Sequence, residues 1–323
     1  MKEIHDIAGK HLGKAGDGSS VKPYITPDIH DKSLLVPVPR SLNRLQYDIH
    51  DEKLPFVGCD LWNAYEVSFL LNNGYPLSGV LQLKYSAFST NIVESKSLKL
   101  YLNSFNMEKL GKTSNQAIKN FLSIVLNDLV EAVDITEKDV SVAFFSPAAD
   151  GKFYSHNEND NLGTFGEFSR IESTRDITKL DFTSYKEDPS LLKAADPEVV
   201  RLGGMLPQFI TTNALRSNCR VTNQPDWGDV YLYVKGNKVI EPGSFLQYIV
   251  SMRKENHFHE EICEMIYKRV HDLLKPKEML VACLYTRRGG IDINPIRASS
   301  NKVVKQITDD YLLMYGPQKT LRQ

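Results

Sequence analysis

The sequence predicts an α+β chain made of two tandem copies of a strand–strand–helix unit. Three observations predict it. Apolar and polar residues alternate through Leu81–Ser86 and again through Val230–Val234, the period of half-buried strands. Each alternation is followed by a long stretch with apolar residues at helical spacing. The two halves also align residue by residue: Ile92-Val93-Glu94 falls over Val239-Ile240-Glu241. At the same offset Ser97 meets Ser244, Tyr101 meets Tyr248 and Ser104 meets Ser251.

In chain order, residues 1–30 are rich in Gly, Lys, Asp and Ser without periodicity and read as a mobile arm. Leu34 to Arg40 reads as extended, because Pro37 and Pro39 each push the preceding residue out of the helical region. Asp60–Leu71 mixes β-branched, aromatic and Leu residues and suits a strand, broken at Gly74-Tyr75-Pro76. A second strand covers Val80–Ser86. Glu94, Lys96 and Lys99, taken alone, suit a solvated strand edge. A helix follows, with Ser114 as its cap and Ala117, Ile118, Phe121, Leu122, Val125, Leu129 and Val133 on one face. Val140, Val142 and Phe144 alternate as a strand. From Ser146 to about Pro207 the pattern dissolves over a length unusual for a loop, which reads as a partly structured connection. Then come a strand over Gly228–Lys235, a turn at Gly236-Asn237, and a helix from about Phe258 to Leu274 stopped by Pro276. A strand through Met279, Val281 and Cys283 completes the second copy. The expected organisation is an arm over 1–30, a first module over 31–150, a connection over 151–205 and a second module over 206–323.

Composition narrows the function. The chain has 323 residues, with 39 Lys plus Arg against 40 Asp plus Glu, a net charge of −1. That is a poor match to a nucleic-acid binder, which usually carries a basic excess. No run approaches the roughly 20 apolar residues of a membrane helix, and the first 18 residues lack a secretory apolar core. Four cysteines, Cys59, Cys219, Cys263 and Cys283, are too few and scattered for a disulfide framework, which suits a reducing compartment. No CxxC pair or full zinc-ligand spacing occurs. A soluble enzyme handling a small molecule is the expectation.

Four segments carry chemistry. In Ser217–Trp227 the thiol of Cys219 lies among polar turn residues, where neighbours such as Arg220 can lower its pKa and make it a nucleophile. Asp226, seven residues on, can fold back as proton donor or base. In His257-Phe258-His259-Glu260-Glu261, at a helix start, a His–Glu pair can hold a heterocycle by hydrogen bonds. The spacing is not HExxH, because Cys263 stands where the second His would fall. Arg287-Arg288-Gly289-Gly290 suits an anionic phosphate, with guanidiniums to bind it and glycines to allow close approach. The fourth segment is Val93 to Phe105, with its lysines. On the residues alone these segments equally suit a turn Asp beside an inert Cys, a capped helix start, a basic hairpin tip and a solvated edge.

Taken together and in order, they resemble the NADPH-dependent 7-cyano-7-deazaguanine reductases in their two-module form. The resemblance rests on Val38–Arg44, Glu94–Tyr101, Cys219–Trp227, Phe258-His259-Glu260 and Arg287–Gly290 through Asn294-Pro295. It spans about residues 34 to 300; Asn223 stands where Gly or His is more usual. The resemblance implies a tunnelling fold (T-fold) of two tandem modules, each an antiparallel sheet backed by helices. It implies a homodimer in the cytoplasm, without direct nucleic-acid or membrane binding, that serves queuosine tRNA-modification biosynthesis. It implies that Cys219 attacks the substrate nitrile to form a thioimide, that Asp226 donates protons, and that two NADPH complete the reduction to the aminomethyl product. Val93, Glu94, Ser95, His259 and Glu260 would hold the base; Ser95, Lys96, Arg288 and Gly289 would hold NADPH, with no metal. The competing readings are a zinc-dependent ring-opening enzyme of the same fold, a thiol hydrolase using Cys219 and His259, and a non-catalytic nucleobase-binding protein.

Overall fold

The computed structural model describes residues 27, 29–145, 168–196 and 207–308. The arm expected over 1–30 lies almost wholly outside them, as do residues 151–167 and 197–205 of the expected connection.

Seven main strands and five helices carry the architecture. The strands are β1 (Val57–Leu71), β2 (Pro76–Ser86), β3 (Val140–Phe145), β4 (Gln208–Asn218), β5 (Pro225–Lys235), β6 (Glu278–Tyr285) and β7 (Ile291–Ala298). The helices are α1 (Ser95–Asn103), α2 (Ser114–Val133), α3 (Pro242–Ser251), α4 (His259–Leu274) and α5 (Asn301–Thr308). The main strands form one continuous antiparallel sheet in the order β3-β2-β1-β7-β6-β5-β4. Two short parallel additions complete it: Lys109–Gly111 beside β1, and Ser169–Arg170 beside β4. The two halves meet at the β1–β7 ladder, from Ile291 opposite Ala64 to Ala298 opposite Val57. The chain is thus α+β, with an antiparallel sheet backed by helices.

Each half has its own core on the helix side of the sheet. Trp62, Phe69, Leu81 and Leu83 pack against Phe121, Val125 and Leu129 of α2 in the first. Val230, Leu232, Val281 and Cys283 pack against Ile262, Ile266 and Val270 of α4 in the second. α5 lies on the other face, with Val303 against Tyr233, Leu280 and Ile296.

The sequence repeat is a structural repeat. Asn91–Val93 and Val239–Ile240 are both short strands leading into a helix capped by a glutamate. Glu94 accepts from the N–H groups of Lys96 and Ser97; Glu241 accepts from those of Gly243 and Ser244. Ser97 Oγ donates to Glu94 O, and Ser244 Oγ to Glu241 O, at 2.7 and 2.8 Å. The correspondence also reaches a segment the sequence reading had not paired. Asp31 caps a turn of 3₁₀ helix, accepting from Ser33 N, and Asp188 does the same with Ser190 N. Val36 N then donates to Ser97 Oγ, and Lys193 N to Ser244 Oγ. Part of the enlarged stretch, residues 168–196, therefore packs on α3 and β4, with Ile171 and Leu192 in the second core.

Three local expectations are corrected. The stretch after Glu94 is a helix over Ser95–Asn103 rather than a solvated strand edge: Leu98, Tyr101 and Leu102 bury one face, Phe105 is buried in the turn that follows, and the Glu94 cap starts it. The cap of α2 is Thr113, whose Oγ1 accepts from Gln116 N, rather than Ser114. Leu34 closes a 3₁₀ turn, so extended backbone begins only at Leu35, with its strand at Pro37–Pro39.

Candidate active site

The sheet seam, the β4–β5 loop and the N-termini of α1 and α4 enclose a cavity of about 490 Å³. The ten residues to which the resemblance assigns catalysis, the base or NADPH, Val93, Glu94, Ser95, Lys96, Cys219, Asp226, His259, Glu260, Arg288 and Gly289, all line it, whereas Arg220, Arg287 and Gly290 do not. Trp62, Ile291 and Ile293 from β1 and β7 line it as well.

The local sequence explains how these groups arrive. In the first module β1 and β2 are joined by a tight turn at Asn72–Tyr75; in the second the corresponding junction is enlarged to a loop over Cys219–Gln224. Cys219 N–H donates to Gln224 O and Asn223 N–H to Cys219 O, at 2.8 and 3.0 Å, which folds the loop over the thiol. Asn223 has φ +55°, a left-handed conformation that Asn tolerates better than most residues. This explains why Asn serves where Gly is more usual.

Burial alone would push the Cys219 thiol up. Hydrogen bonds from the Thr222 hydroxyl, the Thr222 and Val221 N–H groups and Arg288 outweigh it, and the pKa is lowered. The other described thiols differ. Burial raises those of Cys59 and Cys263, and Cys263 and Cys283 are fully enclosed in the second core. Arg220 does not serve the sulfur as expected: its Nη2 binds Asn43 Oδ1 at 2.6 Å and Glu261 Oε2 at 3.1 Å. Arg288, from the β6–β7 turn, supplies that charge.

Asp226, at the start of β5, is buried between Arg288 and His259. Arg288 Nη1 lies 2.7 Å from its Oδ1, and His259 Nε2 lies 3.3 Å from its Oδ2. The His259 ring is stacked flat on Tyr285, centroids 3.8 Å apart, which fixes the edge it presents. Next to it, Glu260 is 3% exposed. Burial first, and the charge of Asp60 second, push its carboxyl up to about 8. His259 Nδ1 and Glu260 Oε1 have no hydrogen-bond partner among the described residues.

The mouth of the cavity is cationic. Lys96 and Lys99 stand one turn apart on α1, facing Arg288 on the β6–β7 turn. Gly289 and Gly290 have φ of +60° and +80°, the left-handed pair that a two-residue type I′ hairpin needs. A Cβ on Gly290 would come within 2.6 Å of the Glu66 side chain. Arg287 points elsewhere than expected: its guanidinium lies 4.4 Å from the Tyr65 ring centroid, outside the cavity lining. The Val38–Arg44 motif is also structural. Arg40 and Arg44, with Arg297, are buried in a network with Asp60 and Glu264 behind the cavity.

Sequence reasoning missed Trp62, Tyr285, Lys99 and the role of Thr222. Lys99 carried a usable signal, its i,i+3 spacing from Lys96.

A lowered thiol beside a buried aspartate, a His–Glu pair and a cationic mouth are the parts that a cysteine-dependent enzyme with an anionic co-substrate would need. Comparison with known proteins gives the particular family. A family model described as "Nitrile reductase, 7-cyano-7-deazaguanine-reductase N-term" matches residues 26–143, and one described as "QueF-like protein" matches residues 225–317. A relative from Colwellia psychrerythraea is 38% identical over 82% of this chain and 86% of its own length. One from Burkholderia lata is 40% identical over 84% and 90%. One from Buchnera aphidicola is 35% identical over 84% and 94%. All three are named NADPH-dependent 7-cyano-7-deazaguanine reductase. The chain belongs to the 7-cyano-7-deazaguanine reductase family. A crystal structure of an archaeosine synthase QueF-like protein aligns with 28% of the chain at TM-score 0.27 and 17% identity, too little to bear on the fold.

Proposed function

We propose that this protein is an NADPH-dependent reductase of 7-cyano-7-deazaguanine, with Cys219 as its nucleophile. The observation that carries the reading is that Cys219, Asp226, His259, Glu260 and the Lys96–Arg288 mouth share one cavity. The chemistry follows from their placement. The Cys219 thiolate adds to the nitrile carbon, and the nitrile nitrogen takes a proton from Asp226, giving a thioimide. NADPH supplies a hydride to each of the two unsaturated carbon–nitrogen stages when bound. Between them the C–S bond breaks, returns the electron pair to Cys219 and leaves an imine; a further proton through Asp226 completes the amine.

The base is held by the neighbouring groups. Glu260 accepts from its N–H edge, while Val93, Glu94 and Ser95 line the facing wall. Burial of Glu260 makes its charge unfavourable in the empty site, so a guanine-like donor edge is what it suits. The cationic mouth fits a phosphate-bearing nicotinamide nucleotide. Ser95, Lys96, Arg288 and Gly289 are its proposed contacts, and the Glu94 carboxylate already caps α1, so side chains must bind the anion.

Among the described residues the sheet ends at β3 on one side and at β4 with its short Ser169–Arg170 addition on the other. A homodimer that pairs such edges is part of the proposal. So is a place in queuosine biosynthesis in the cytoplasm, acting on the free base rather than on nucleic acid. Among the described residues no helix is long and apolar enough to cross a membrane.

The test is nicotinamide absorbance with purified protein, NADPH and 7-cyano-7-deazaguanine. Consumption of two NADPH per base, absent in Cys219→Ala, is expected. No oxidation by folded protein would overturn the reading, and release of ammonia without NADPH would favour a thiol hydrolase.

A further inference from the structure

The floor of the cavity is the face of the sheet seam, where Trp62 of β1 stands opposite Ile293 of β7 in the ladder. Trp62 is 1% exposed, and its ring lies tilted against Tyr85 at 6.3 Å. Its indole Nε1–H has no acceptor among the described residues. An indole N–H is a donor only, and a buried one normally finds a partner. Leaving it orphaned is costly enough to need a reason. Two other orphaned atoms, Glu260 Oε1 and His259 Nδ1, belong to residues lining the same cavity. The carboxyl oxygen suits a ligand donor and the indole suits a ligand acceptor. A flat base with donors and acceptors on its rim satisfies both.

We propose that Trp62 is a specificity residue for the base: its indole N–H donates to an acceptor atom of the heterocycle whose donor edge faces Glu260. The inference rests on the reductase reading. It adds a recognition contact from the sheet floor to those from the loops and helix ends. The site then selects for an acceptor on the base, because a ligand lacking one leaves the indole N–H buried and unpaired.

The test separates recognition from packing. In a Cys219→Ala background, which blocks covalent chemistry, the affinity for 7-cyano-7-deazaguanine is measured by calorimetry with Trp62 and with Trp62→Phe. Phe keeps a buried aromatic ring and removes the donor. Affinity should fall about tenfold, the loss of one buried hydrogen bond. With Cys219 present, Trp62→Phe should leave the KM for NADPH unchanged while the KM for the base rises.

A second arm needs no change at Trp62. The sequence has two tryptophans, so Trp227→Phe makes Trp62 the sole emitter. Saturating base should then shift its emission to the red as the indole N–H gains a partner, whereas a purely packing role predicts no shift. Unchanged affinity in Trp62→Phe, or unmoved emission at saturation, overturns the inference while the reductase reading stands. No binding with Trp62 intact overturns both.

Discussion

Thr222→Val removes one hydroxyl from the Cys219 sulfur and leaves the shape of the loop. Burial pushes the Cys219 thiol up, and the Thr222 hydroxyl is foremost among the groups that bring it down. A hydrogen bond to a charged group contributes roughly 1.5–3 kcal/mol, and the lower end applies where solvent reaches the cavity. That corresponds to about one pKa unit. The sign is fixed: the hydroxyl favours the thiolate, so its loss raises the pKa and lowers the thiolate fraction. The assay is the rate of iodoacetamide alkylation against pH, with Cys219→Ala as background. The profile of Thr222→Val should move up by about one unit and converge with the parent at high pH, and Thr222→Ser should restore it. An unmoved profile would refute the claim that this loop activates the sulfur.

Other outcomes follow from the same geometry. Arg288→Ala removes the cation beside both Asp226 and the cavity mouth; steady-state kinetics should show KM for NADPH raised roughly tenfold or more. Glu264→Gln breaks a buried pair with Arg44 and Arg297, and denaturant unfolding should register a loss of about 3–5 kcal/mol. The Glu264 carboxyl is brought down to about 2: burial opposes this, and Arg297 and Arg44 outweigh it. Its stabilisation is therefore present above the ordinary carboxylate range of about 4.3 and is lost as pH falls toward 2. Glu260 is the opposite case: with its carboxyl pushed up to about 8, it costs stability as pH rises from the ordinary range through 8. Glu260→Gln should thus raise the melting temperature at pH 8 more than at pH 5, while binding of the base weakens.

Much of this was legible in the sequence where local and tertiary signals agree. α4 carries acids in its first turn, an apolar stripe and Pro276 beyond its end, and it forms over His259–Leu274. The Glu94 stretch misled because Lys96 and Lys99 suggest a solvated edge, although Leu98, Tyr101, Leu102 and Phe105 carry a helical period on the opposite side. The Asp31 and Asp188 turns share Asp-x-Ser-Leu-Leu, a match hidden because its offset differs from that of the later repeat. Arg220 adjoins Cys219 in sequence, but the loop turns its guanidinium away from the sulfur to Asn43 and Glu261. Trp62 joined the site through strand register, which pairs it with Ile293 more than 200 positions away, and Tyr285 through stacking on His259; neither leaves a local trace.

The most direct test of the central claim is intact-protein mass spectrometry after incubation with 7-cyano-7-deazaguanine and no NADPH. The protein should gain the full mass of one base, mapped to Cys219, since addition to a nitrile expels no leaving group; Cys219→Ala should gain nothing. An unmodified parent protein at saturating base, or an adduct that persists in Cys219→Ala, would contradict the account.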